Sequence, residues 1–205
     1  MALVEINEAS IAQGSHQVVD RFSAKLRPGT ITAVIGPNGC GKSSLLSAIA
    51  GDLKLSSGSI TLDGIDLAQI NLQTQAAKRS VVAQSRNYWL SYSVREVIAM
   101  GQGVAEISRI DSVMAALDMK EFARQSVTTL SGGQAQRVDI ARALVRDSDI
   151  YLFDEPFSAQ DSRSKDVLID ILKKLRMRGK TILLVTHSDK SELSWCDQIF
   201  DLGTQ

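Results

Sequence analysis

A run of β-branched and apolar residues, Thr30 to Ile35, passes without a linker into Gly36-Pro37-Asn38-Gly39-Cys40-Gly41-Lys42-Ser43 and then into a helical stretch from Ser43 to Ala50. Few local patterns restrict a fold more. The glycines let successive backbone N–H groups curl inward, and the following helix N-terminus adds partial positive charge, so the turn forms a seat for an anion. Lys42 can reach the terminal oxygens of a bound polyphosphate, the Ser43 hydroxyl can ligate Mg²⁺, and Ser44 continues the seat into the helix. A glycine turn without a ligand is the plain alternative, and the strand-loop-helix context argues against it.

Elsewhere short apolar runs alternate with longer amphipathic segments. Leu3 to Ile6, Gln17 to Leu26 and Gly58 to Leu62 read as strands of an N-terminal antiparallel portion, with Pro28-Gly29 as a turn. Arg79 to Ala83, Ile150 to Phe153 and Lys180 to Thr186 read as buried strands bounded by helices, the pattern of a parallel sheet covered on both faces. Between Tyr88 and Thr129 apolar residues recur at helical spacing, as in Val94, Val97 and Ile98 or Ile110, Val113, Met114 and Leu117. The expected class is therefore α/β, with a mixed, mainly parallel sheet, an N-terminal antiparallel β portion and a helical subdomain. No repeat or linker divides the chain. A single domain over 1–205 is expected, its core formed by 1–84 and 146–205 and its helical subdomain by about 85–145.

Composition closes off other classes. A chain of 205 residues that is 44% hydrophobic and 22% charged can bury a full core, which excludes disorder. Its 23 basic residues balance 23 acidic ones, so no net field gathers nucleic acid, and no nucleic-acid partner is expected. Apolar runs such as Ile182 to Val185 are too short to span a bilayer, and Glu5 and Glu8 stand where a secretory leader needs a basic start and an apolar stretch. A cytoplasmic location follows as the expectation. Cys40 and Cys196 are the only cysteines and read as thiols.

Four further features carry chemistry. Ile150 to Phe153 leads into Asp154-Glu155, so both acids emerge at the carboxyl end of a buried strand, where ligands bind in open α/β sheets. Asp154 can hold a metal and Glu155 can polarise an attacking water, although a strand end before Pro156 equally suits a solvated acidic turn. Leu130-Ser131-Gly132-Gly133-Gln134 precedes a helix running to about Val145; Ser131 is a natural N-cap, and the bare glycines make a second anion seat or, alternatively, a hinge. Gln84 and His187 each end a strand, either as solvated or structural residues or as groups facing the same ligand.

Taken in order, Gly36 to Ser43, Gln84, Leu130 to Gln134, Ile150 to Glu155, Ser158-Ala159-Gln160-Asp161 and His187 resemble the Walker A, Q-loop, signature, Walker B, D-loop and H-loop motifs of the ATP-binding cassette ATPases. The resemblance spans nearly the whole chain. It implies a P-loop NTPase core and ATP with Mg²⁺ as the bound group, Lys42, Glu155 and His187 as catalytic residues, and Ser43, Gln84 and Asp154 around the metal. It further implies a head-to-tail pair in which Ser131, Gly132, Gly133 and Gln134 act on nucleotide held by the partner, with Asp161 at the contact. The interval between Lys42 and Asp154 is too short for the coiled-coil insertion of DNA-repair relatives, and from the short stretch after His187 the expectation is a chain without the regulatory domain some importers append.

Within that family, Lys78 to Gly101 is most similar to importers of iron chelates, haem or cobalamin, and Tyr88, Trp89, Leu90 and Tyr92 fall where relatives receive a permease helix. Two departures stand out. Gln13 and His16 occupy the region where many relatives stack an aromatic ring on adenine, and Gln160 replaces the usual leucine of the D-loop. The resulting expectation is an Mg-ATP hydrolysing motor, pairing as a homodimer and sitting on the cytoplasmic face of a membrane permease. A soluble ATPase of iron–sulfur cluster assembly and a non-hydrolysing nucleotide switch are the alternatives.

Overall fold

The computed structural model describes residues 2–14, 16–84 and 88–204. Nine strands and seven α-helices are described. In chain order they are β1 (Val4–Gln13), β2 (His16–Leu26), β3 (Ile31–Ile35), α1 (Lys42–Ile49), β4 (Ser57–Leu62), β5 (Ile65–Asp66), α2 (Leu72–Lys78) and β6 (Arg79–Val82). There follow α3 (Val94–Ala99), α4 (Val104–Ile107), α5 (Ile110–Ala116), α6 (Gly132–Arg146), β7 (Ile150–Asp154), α7 (Ser162–Met177), β8 (Thr181–Val185) and β9 (Gln198–Asp201).

The mixed, mainly parallel β structure resolves into two sheets. One is antiparallel, ordered β2-β1-β4-β5; the other is parallel, ordered β6-β7-β8-β3-β9. Every residue of β3, β7 and β8 is buried, as central strands of a doubly covered sheet require. Their side chains alternate between two cores. Tyr151, Phe153, Ile182 and Leu184 face α6, α7 and the helical subdomain, whereas Ile150, Leu152, Leu183 and Val185 face α1 and the antiparallel sheet.

Differences from the sequence reading have local causes. β1 runs well past Ile6 because bulges between Ile6 and Ile11, with Glu8 at φ +45°, bury Ala9, Ser10 and Ile11 in succession and break the period-2 pattern. β9 is a half-buried edge strand of four residues and carries little apolar signal. Helix α7 buries only Leu168, Leu172 and Leu175 on one face of a charged segment. The expected start of the helical subdomain, at 85–87, lies outside the described residues.

Tyr151 shows what the tight sheet costs. Its side chain is fully buried against Phe153, yet its hydroxyl has no hydrogen-bond partner among the described residues, and burial pushes its ionisation well above the usual phenol range. Removing a buried unpaired hydroxyl relieves a desolvation penalty of about 1–3 kcal/mol. Tyr151→Phe is therefore expected to leave stability unchanged or to raise it, seen as a higher urea midpoint; a loss above about 1 kcal/mol would show that the hydroxyl is paired.

Candidate active site

The parallel register decides which side chains meet. Val34 of β3 and Asp154 of β7 both pair with Val185 of β8, so three strands end level. The ladder continues beyond the strands, with the Glu155 N–H donating to the Val185 carbonyl at 2.9 Å and the Thr186 N–H to the Val34 carbonyl at 3.0 Å. The carboxyl edge of one sheet thus carries Gln84 after β6, Asp154 and Glu155 at β7, His187 after β8 and the glycine loop after β3.

In that loop Gly36, Gly39 and Gly41 have φ of 144°, 83° and 95°. Gly41 is the most constrained. A Cβ there would lie 2.5 Å from the Val18 carbonyl of β2, so only glycine lets the antiparallel sheet close against the loop. Lys42 is buried, and its ammonium donates to the carbonyls of Gly36 and Pro37 at 2.8 and 3.0 Å, which keeps the charge at the loop. The Ser43 hydroxyl donates to Asp154 Oδ1 at 3.2 Å, joining residues 111 positions apart. A cavity of about 380 Å³ is lined by Gln13, Val18, Asn38, Gly39, Gly41, Lys42, Ser43, Ser44, Gln84 and Glu155.

Burial pushes the Asp154 carboxyl above its ordinary range; the Ser43 hydrogen bond opposes this, neighbouring Glu155 adds to it, and Lys42 counters. An acid raised in this way favours folding only while protonated, below the ordinary carboxylate range, and that benefit is lost as pH rises through its shifted value. The ionised form of Asp154 is therefore under-compensated, and a cation beside it would offset the burial. A hydroxyl and a carboxylate in contact next to an anion cradle fit Mg²⁺, which takes hard oxygen ligands and shares them with phosphates.

Glu155 is buried at φ +49°, a costly backbone for a residue with a side chain. Its Oε2 lies 2.8 Å from Nδ1 of the exposed His187. With Glu155 ionised, Nδ1 carries the hydrogen and Nε2 is left for a ligand. His187 also lines a second opening of about 720 Å³, together with Gly36, Pro37 and Asn38.

The remaining candidates fall into place differently. Ser131 caps α6 with a reciprocal box, accepting from the Gln134 N–H while Gln134 Oε1 accepts from the Ser131 N–H at 2.9 Å. Ser131, Gly132, Gly133 and Gln134 do not line the 380 Å³ cavity. Cys40 contributes backbone to the loop, but its side chain is half-buried against the core and lines a different cavity with Glu8, Val18 and Leu202. Gln136 was not singled out from sequence, and its signal is a polar residue among the buried positions Val138, Ile140 and Ala141 of α6. It donates to the Glu155 carbonyl at 2.9 Å.

A doubly covered parallel sheet with a glycine cradle, a lysine, a hydroxyl and two carboxylates at its carboxyl edge defines a nucleoside-triphosphate hydrolase of the P-loop class. The comparisons carry the assignment further. The ABC transporter family pattern matches residues 19–158. The hemin import ATP-binding protein HmuV of Pseudomonas entomophila is 33% identical over 96% of this chain and 82% of its own length. The zinc transport system ATP-binding protein TroB of Treponema pallidum is 32% identical over 98% and 79% respectively. A solved ATP-binding subunit of an ABC transporter superposes with a TM-score of 0.87 at 24% identity, covering 98% of this chain and 87% of that one. The chain belongs to the ABC transporter family as an ATP-hydrolysing ATPase subunit.

The two signature glycines differ in their surroundings. A Cβ on Gly132 meets nothing within 4 Å, whereas one on Gly133 would lie 2.3 Å from the Ala159 carbonyl. Gly132→Ala is expected to be neutral or to stabilise by up to about 1 kcal/mol through helix propensity. Gly133→Ala is expected to destabilise by about 1–3 kcal/mol through overpacking. Urea denaturation of the pair reads the difference, and equal midpoints would contradict it.

Proposed function

We propose that two copies of this chain close head to tail on Mg-ATP and drive a membrane importer, with an iron chelate, haem or a cobalamin-like molecule as cargo. The observation that carries the hydrolytic reading is the buried Glu155 carboxylate held against His187 beside Ser43, Asp154 and Lys42 at one sheet edge. In this reading residues Gly36 to Ser44 seat the phosphates through backbone N–H groups and the helix N-terminus, and Lys42 neutralises the terminal phosphate. Ser43, Asp154 and Gln84 hold Mg²⁺, which when bound neutralises phosphate charge. Glu155 takes the proton of an attacking water, and His187 offers Nε2 to the terminal phosphate. Ser131, Gly132, Gly133 and Gln134 complete the partner's site rather than their own, consistent with their position outside the cavity.

The cargo assignment rests on relatives named for hemin import and on the resemblance of Lys78 to Gly101 to such importers. Of the four residues assigned to a permease helix, Trp89, Leu90 and Tyr92 are exposed and suit such a contact, whereas Tyr88 packs on the core and donates to Asp139 at 2.8 Å. Among the described residues no helix is long and apolar enough to cross a membrane, so the membrane path belongs to another chain in this reading. We assign 1–84 and 146–205 to the core and about 85–145 to the helical subdomain.

Glu155→Gln tests the proposal. The variant is expected to bind Mg-ATP as the native chain does, to lose turnover by at least about a hundredfold and to accumulate as an ATP-dependent dimer. Purified from cells with its genomic neighbours, that dimer is expected to carry an integral membrane protein. Native phosphate release by the variant removes Glu155 from the role of base, and a wholly soluble dimer contradicts the importer in favour of an assembly ATPase.

A further inference from the structure

Glu155 ends in a hydrogen-bond chain that the hydrolytic reading does not use. Its backbone carbonyl accepts from Gln136 Nε2 at 2.9 Å and from the Ser158 hydroxyl at 3.0 Å. Gln136 is buried on α6, and its Oε1 accepts from Gln160 Nε2 at 2.8 Å. Gln160 Nε2 also donates to the Gly133 carbonyl at 3.3 Å. The direction of each amide is forced. The Glu155 carbonyl can only accept, so Gln136 must present its NH₂ there, which leaves its oxygen to Gln160.

The chain joins two segments distant in sequence, the first turns of α6 and the loop from Glu155 to Asp161, and it ends on the backbone of Glu155. Gly133 packs its bare Cα against the Ala159 carbonyl, so the first turn of α6 cannot shift without carrying that loop. At the other end Glu155 stands at φ +49°, where small changes in its peptide planes swing the carboxylate relative to His187. Hydrogen bonds in series polarise one another, and at the buried Gln136 an unpaired amide is costly, which couples it to Gln160 and to the Glu155 carbonyl.

We propose that Gln136 and Gln160 are positioning residues, aligning the Glu155 carboxylate for water activation and transmitting engagement of the Ser131 to Gln134 loop to it. The proposal rests on the two-chain reading above. It assigns the glutamine at 160 a role in turnover through Glu155; neither Gln136 nor Gln160 lines the cavity of this chain's own glycine loop.

The test compares Gln160→Leu, Gln136→Leu and the double variant by steady-state phosphate release, with equilibrium binding of Mg-ATP beside it. Gln160→Leu is expected to lower kcat by about tenfold while leaving KM within about twofold, because an interaction that aligns the base acts on the chemical step. The double variant is expected to fall no lower than Gln136→Leu alone, the non-additivity of residues acting in one chain. Native kcat in Gln160→Leu, a parallel rise in KM, or multiplying losses would overturn the relay. Gln160 is half-buried on a loop, so its variant decides the question even if Gln136→Leu does not fold. Repeating the comparison in the Glu155→Gln background separates the two claims. A dimer that forms with or without Gln160→Leu, alongside an unchanged kcat in the native background, sinks the relay only; no dimer with native Gln160 sinks the two-chain reading and the relay with it.

Discussion

The site depends on one geometric constraint, that β3, β8 and β7 run parallel and end level. Parallel pairing fixes which residues share an edge, and here the pairing of Val34 and Asp154 to Val185 brings a loop near residue 40 and carboxylates near residue 155 to one line. The Ser43 to Asp154 hydrogen bond is the first chemical consequence. A one-residue slip of β7 would turn Asp154 to the opposite face, so the burial of both faces that fixes the register also fixes the chemistry.

Around that edge the protein accumulates local costs. Asp154 is buried beside Glu155 without full compensation, Glu155 occupies a left-handed backbone, and Lys42 is withdrawn among loop carbonyls. The Asp154 carboxylate is the one that a neighbouring cation would compensate directly. A buried carboxylate pair, a buried lysine and a glycine cradle in one cleft are the parts that phosphoryl transfer requires. The scaffold that tolerates them is the pair of cores, whose side chains alternate along β7 and β8 without a break.

Much of this was legible in the sequence because the signals were short and chemically loaded. The glycine spacing before Lys42, the apolar run ending at Asp154-Glu155 and the strand ending at His187 pointed to one sheet edge, and the structure brings Gln84, Glu155 and the loop residues into one cavity there. What stayed hidden had tertiary causes. The bulges of β1 broke its alternation, and edge strand β9 carries too little apolar content to announce itself. No sequence rule told Gly132 from Gly133, since the difference is the distance to Ala159. Cys40 is half-buried against the core and does not line the cavity that its neighbours Gly39 and Gly41 line. Gln136 could have been suspected as a polar residue on an apolar helix face, but its partners lie 19 and 24 positions away.

The central claim is that the two anion seats of one chain serve two different nucleotides, so that catalysis needs a second copy. Specific ATPase activity measured across a wide range of protein concentrations tests it most directly. The account predicts that activity per chain falls on dilution, approaching proportionality to concentration once free chains dominate. Activity per chain that stays constant on dilution, with the chain shown to be a monomer, would contradict it.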